Sequence, residues 1–170
     1  MSRTAQANVS SPDPLTRNDS QFLVFRLDDQ DYAIPILQVQ EIREWSRATA
    51  LPNSPDYILG VLNLRGTIVP VVDLRQRFRL SPAKPDTFTA IVVVNVNGRL
   101  AGVVVDSVSD VTWFEPDQRR PLPDFEGHAH RQFIDGLIQG EGRMVILLNM
   151  ERLLSADDFS VGSDLSQQAV

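Results

Sequence analysis

The chain reads as mainly β, folded as two similar small barrels of about five short strands each. Three observations carry that reading. Apolar residues fall in short runs bounded by turn residues, as in FLVFRL (22–27), YAIPI (32–36) and TAIVVVNV (89–96), and such runs rich in Val, Ile and Phe are strand signals. No stretch keeps the long 3.6-residue periodicity of a helical bundle. The chain also repeats itself: residues 22–42 align with 91–111 without a gap at an offset of 69, and later segments match at an offset of 76.

Taken in order, strands 22–27 and 32–36 are separated by DDQD, a cluster that favours a turn. Ser54-Pro55 resembles a helix cap with proline at the first helical position. In YILGVLNLRGTIVPVVDL (57–74) the apolar residues are interrupted by Gly60, Asn63, Arg65 and Gly66. Asn63 and Gly66 suit a tight turn with unusual backbone angles, so Arg65 projects from a loop between strands. TIVPVV (67–72) is a buried strand whose Pro70 belongs on an edge or at a bulge, because it donates nothing to a ladder. Asp73 caps a short helix, LRQRF. Asn97-Gly98 lies between strands 89–96 and 99–105; a type I′ turn needs positive φ at both central residues, which this pair tolerates best. MVILL (144–148) is the last strand, and Asn149 caps MERLL.

The repeat pairs features as well as composition. FLVFRL falls on IVVVNV, Val39-Gln40-Glu41-Ile42 on Val108-Ser109-Asp110-Val111, Gly60 on Gly136, Gly66 on Gly142, and Asp73 on Asn149. Matched glycines, turns and caps in one order point to a two-fold plan. The expected organisation is a polar, flexible tail over 1–20 with Pro12 and Pro14, an ordered body over 21–154, and a second flexible tail over 155–170. Within the body, subdomains of approximately 22–88 and 89–154 share a core, because halves this small gain by burying apolar surface against each other.

Composition narrows the function. A net charge of −6 with pI near 4.8 argues against a general nucleic-acid binder or a protein of anionic membrane surfaces. With no cysteine there is no disulfide framework, thiol nucleophile or thiolate metal site, which fits a reducing cytoplasm. No apolar run approaches the roughly 20 residues of a spanning helix. There is no G-x-S-x-G elbow, P-loop or G-x-G-x-x-G, so the pattern points to a binding protein without catalytic residues or cofactor. His128 and His130, with Asp124 and Glu126 nearby, are metal-ligand types, but in a glycine-containing loop they read as solvated histidines. Arg75, Arg77 and Arg79 form a basic stripe best read as a solvated face, as does Arg119-Arg120. Arg65 either pairs with a carboxylate, Glu41 being a candidate, or faces a partner.

Across 21–154 the chain resembles the CheW family of chemotaxis coupling proteins. The resemblance rests on FLVFRL, YAIPILQVQEIR, LPNSPDYILGVLNLRGTIVPVVDL, GVVVDSVSDV, FIDGL and MVILLNMERLL in that order. It implies two intertwined SH3-like five-stranded β barrels with a few short helices. It also implies a non-catalytic adaptor joining the regulatory domain of a CheA-type histidine kinase to the cytoplasmic tips of methyl-accepting chemotaxis receptors. Such a protein is cytoplasmic, needs no cofactor, binds no nucleic acid, does not insert into the membrane, and reaches receptor arrays through its partners. With about 16 residues after Leu154, no attached receiver domain is expected. A receptor tip is a helical hairpin, and a helix docks by laying an apolar stripe into a groove. The expected groove walls are Val39 and Ile42 from the first half and Val105 and Val108 from the second. By similarity Glu41 and Arg65 match positions important to coupling, where a pair would hold the NLRG loop in shape. Gly60 matches a glycine beside the receptor surface, where a side chain would obstruct close approach.

Overall fold

A computed structural model describes residues 20–123, 131–140 and 142–154. The expected flexible tails and the His128/His130 loop lie outside the described residues. Among the described residues, eleven strands and two short α-helices follow in order: β1 (Gln21–Leu27), β2 (Gln30–Pro35), β3 (Val39–Glu44), β4 (Ile58–Leu64), β5 (Thr67–Asp73), α1 (Leu74–Arg77), β6 (Ala90–Val96), β7 (Arg99–Val105), β8 (Ser107–Trp113), β9 (Arg119–Arg120), β10 (Ile134–Gln139), β11 (Met144–Leu148) and α2 (Met150–Leu153). Both helices begin where their caps predict: Asp73 Oδ1 accepts from the Arg75 amide, and Asn149 Oδ1 from the Arg152 amide. Ser54-Pro55 starts no helix. Ser54 Oγ donates instead to the Leu51 carbonyl, and the Ile58 amide closes a single turn onto Pro55 that leads directly into β4.

The strands form two sheets, SH3-like barrels of the same plan. Barrel I has the order β8-β1-β2-β11-β10-β9, and barrel II the order β3-β6-β7-β5-β4. The repeat pairs β1 with β6, β2 with β7, β3 with β8, β4 with β10 and β5 with β11, and under that pairing the five common strands run in the same order in both barrels. Register shifts repeat too. One leaves Gln40 unpaired in β3 and Ser109 unpaired in β8, and the other falls just before Gly60 in β4 and Gly136 in β10.

The repeats do not, however, each build a barrel. Barrel I takes the hairpin β1–β2 from the first repeat and its other strands from the second, while barrel II takes β6–β7 from the second and the rest from the first. The point between 88 and 89 therefore divides the repeats and not the sheets. Exchange explains why β1 and β6 read as nearly unbroken apolar runs: both faces are covered. In β1, Leu23, Phe25 and Leu27 enter a core shared between the sheets, while Phe22 and Val24 fill barrel I. In β6, Val92, Val94 and Val96 enter the same shared core, while Ile91 and Val93 fill barrel II.

Pro70 departs from expectation by lying in β5, a central strand of barrel II. The Val61 amide and carbonyl both bond Thr49 on the far side of β4, so the Val61–Pro70 pair carries no ladder bond. The missing N–H then faces β7, one residue before the parallel β5–β7 ladder begins at Val71. No bond is lost.

Candidate functional site

Four of the seven expected coupling residues, Val39, Glu41, Ile42 and Arg65, lie on β3, an edge strand of barrel II, or in the turn between β4 and β5. That turn is built by its own sequence. Arg65 and Gly66 have φ of 52° and 89°, and Asn63 Oδ1 accepts from the Gly66 amide at 2.8 Å. Asn95, Asn97 and Gly98 build the same device in the other repeat, with φ of 53° and 83° and a 3.0 Å bond from the Gly98 amide to Asn95 Oδ1.

Glu41 and Arg65 do meet. Arg65 Nη2 donates to Glu41 Oε2 at 2.9 Å, and Arg43 Nη1 reaches Glu41 Oε1 at 3.3 Å. Since β3 and β4 stand at opposite ends of the strand order, the pair bridges the seam where the sheet curls back on itself. Barrel I has a matching contact between Asp110, on the equivalent edge strand β8, and Arg143 before β11, at 3.7 Å. The Arg65 side chain is 83% exposed, so the ion pair adds about 0–1 kcal/mol. The turn owes its shape to Asn63 and positive φ first, and to the ion pair second. An arginine held out in solvent with one partner keeps most of its five donors for another molecule.

Two other expected residues are placed differently. Val105 is 1% exposed and belongs to the shared core, so it forms no wall of a groove. Strand alternation turns it inward at the end of β7. Gly60 is buried, with φ of +143°, and a Cβ there would lie 2.0 Å from the Thr49 carbonyl oxygen. Its close approach is to this chain's own backbone, where Thr49 pairs with Val61 along the edge of β4. Gly136 is its counterpart: a Cβ there would lie 2.9 Å from the Arg120 carbonyl oxygen of β9.

Val39 and Val108, equivalent in the repeat, are half-buried and pack on the shared core from β3 and β8. Ile42 is 46% exposed on the outer face of β3, and Val111, its repeat equivalent on β8, is 52% exposed. Val111 was not among the expected residues, yet the offset of 69 that maps Val39 onto Val108 maps Ile42 onto Val111. The signal was present in the alignment of the repeats.

The arginine stripe is not one solvated face: Arg79 is exposed, but Arg75 and Arg77 are turned to partners within the fold. Arg75 makes a two-pronged pair with Asp106, Nε to Oδ1 and Nη2 to Oδ2, both at 2.7 Å. Burial alone would raise the Asp106 carboxyl, but hydrogen bonds from Arg75 and the Asp28 amide, with the Arg75 charge, bring it net below its ordinary value. Burial raises Asp73, only partly offset by the amides of Arg75 and Gln76. The Arg77 guanidinium lies between two rings, 4.2 Å from the centre of Tyr57 and 4.8 Å from that of Phe133. Those rings are themselves repeat equivalents. No group of three or more metal-ligating side chains occurs among the described residues, and no described helix is long and apolar enough to cross a membrane.

A family model described as the CheW-like domain matches residues 21–158. The chain is 40% identical over 147 residues to a chemotaxis protein CheW of Klebsiella aerogenes, covering 86% of this chain and 89% of that one. It is 38% identical over 141 residues to a probable chemotaxis protein CheW of Rhizobium etli, covering 83% and 91%. Among solved structures, the scaffolding protein TtCheW from Thermoanaerobacter tengcongensis superposes with a TM-score of 0.75 at 28% identity, covering 82% of this chain and 94% of that one.

Proposed function

The chain belongs to the CheW family, and from that premise we propose that it is a non-catalytic adaptor coupling a CheA-type histidine kinase to the cytoplasmic tips of methyl-accepting chemoreceptors. It works by contact. The kinase's regulatory domain and the receptor tip are held in one assembly, and the adaptor itself is brought to the membrane array by those partners.

The observation that carries this reading is the matched pair of edge strands. β3 and β8 each hold a valine against the shared core, Val39 and Val108, and present an apolar side chain outward, Ile42 and Val111. A helical hairpin carries apolar residues at spacings of three and four, and two such strands supply separate apolar footholds for it. Glu41, in the same strand as Ile42, and its partner Arg65 supply charge at the rim, where it governs partner choice and encounter more than raw affinity.

Reconstitution of the protein with a CheA-type kinase and receptor cytoplasmic fragments on vesicles tests the proposal, with kinase stimulation as the readout. The native protein is expected to stimulate. Arg65→Ala is expected to lower stimulation while circular dichroism and melting stay near those of the native protein. Val111→Asp and Ile42→Asp are expected to weaken receptor binding with kinase binding retained. Absence of binding to any kinase regulatory domain would overturn the reading, and native-like stimulation by Arg65→Ala would remove that residue from it.

A further inference from the structure

Four strand ladders join the two repeats: β1 with β8, β2 with β11, β3 with β6, and β5 with β7. Neither barrel is complete without strands from both repeats. Nothing in those ladders, or in the shared core, requires the two repeats to lie on the same chain.

The covalent link between them is short and exposed. Its beginning is pinned by Arg75 Nη1, which donates to the Ser81 carbonyl at 2.6 Å. Its end is pinned by Asp86, whose Oδ1 accepts from the Phe88 amide at 2.7 Å and the Thr89 amide at 3.2 Å. Between those anchors run Pro82-Ala83-Lys84-Pro85, all exposed and outside any strand or helix. Proline fixes φ and favours extended backbone at the residue before it, so this segment is preset to run straight and packs against little that opening would lose.

We propose that the protein has a further partner, a second copy of itself, taken up by reciprocal exchange of repeats. Residues 21–81 of one copy complete both barrels with residues 86–154 of the other, and the 82–85 connections cross between the two bodies. Every ladder bond and buried side chain of the monomer is kept, so only the connection distinguishes the two forms. The balance is then set by protein concentration against the effective concentration that a four-residue link imposes, on the order of millimolar for short links. Interconversion needs the interlocked sheets to open, so each form persists once made.

The experiment uses the full chain, which has no native cysteine. Arg26 and Ser107 face each other in the β1–β8 ladder, and facing Cα atoms of an antiparallel pair lie within disulfide range. Arg26→Cys and Ser107→Cys are made separately, so that each native-like monomer has no facing thiol. The two variants are unfolded, mixed and refolded at about 10 μM and about 1 mM, a range spanning the crossover expected from the link. They are then oxidised and analysed by light scattering and peptide mapping. A dimer bridged between positions 26 and 107 is expected at the higher concentration, at least about tenfold more abundant than at the lower. Deleting Ala83 and Lys84 is expected to raise that fraction further. Monomer alone at the higher concentration, or a dimer without the 26–107 bridge, overturns the proposal, because exchange alone brings those positions face to face between copies.

Discussion

Barrels I and II follow one strand plan and diverge at their rims. Inside, equivalent positions stay apolar: Phe22 and Ile91, Val24 and Val93, Leu147 and Val71 all fill a barrel. At the rims the equivalents part company. Asp28 and Asp106 join Arg75 in an ion cluster, but the repeat places Asn97, Leu37 and Glu151 at the corresponding positions. Arg77, clamped between Tyr57 and Phe133, has Leu153 as its equivalent, and Arg77 Nη2 contacts the Leu153 carbonyl at 3.4 Å. A residue buried by alternation on both faces has few acceptable replacements. A rim residue is held by local partners alone and can specialise.

The comparison breaks most decisively through the shared core. Phe25 is fully buried there, and Phe25→Ala is expected to cost about 3–5 kcal/mol. Because the core is common to both barrels, the loss is expected in one transition. Trp113 in barrel I and Trp45 packed on barrel II are natural reporters, read separately in Trp45→Phe and Trp113→Phe backgrounds. Denaturant midpoints that differ between the two reporters would show that the barrels unfold independently.

The equivalent glycines give a smaller and unequal effect. Gly60→Ala meets the Thr49 backbone at a positive φ, whereas Gly136→Ala meets Arg120 more loosely. The expected costs are about 2–3 kcal/mol at Gly60 and about 1 kcal/mol at Gly136. Equal losses by chemical denaturation would show that the two edges tolerate a side chain alike.

Next is the acid limb, where the ion cluster separates one rim from the other. Asp106 is lowered in the folded state, so the stability it contributes is present above the ordinary carboxylate pKa of 3.8 and is lost as pH falls through its lower folded value. Asp73 is raised, so its protonation favours the fold as pH falls through its raised value toward 3.8, which opposes the Asp106 loss. Asp106→Asn is expected to melt lower at neutral pH and to lose less on acidification than the native protein. An unchanged slope of Tm against pH would show that the cluster does not govern the acid limb.

The smallest effects are expected at the barrel seams. Arg65→Ala and Arg143→Ala should each change stability by less than about 1 kcal/mol, since both guanidiniums reach the surface, Arg65 pairing with Glu41 and Arg143 with Asp110 at 3.7 Å and Asp31 at 3.8 Å. A larger loss for either, measured by urea denaturation, would mean that its ion pair is needed to close that barrel.

The site was partly legible for reasons specific to each residue. The Asn63-Leu64-Arg65-Gly66 turn could be read because its chemistry is local: an Asn side chain caps it, and Gly66 accepts positive φ. The Glu41–Arg65 contact could only be offered as a candidate, because their strands come together through closure of the sheet. Val105 was misplaced because a valine in an apolar run looks the same whether it faces a core or a groove. Gly60 was assigned to a partner's approach, whereas its close neighbour is the Thr49 backbone, 11 residues earlier in the chain.

By itself the sequence determined six of the strands, the Asn97-Gly98 and Asn63–Gly66 turns, the Asp73 and Asn149 caps and the repeat, because each depends on residues a few positions apart and on an alternation that burial imposes. The tertiary structure alone decided that the repeats trade hairpins, that a stripe of arginines becomes an ion cluster and a ring clamp, and that Val111 stands outside while Val105 stands within. Those outcomes depend on which strands lie side by side in space, and partner choice is set by long-range packing that no short window of residues contains.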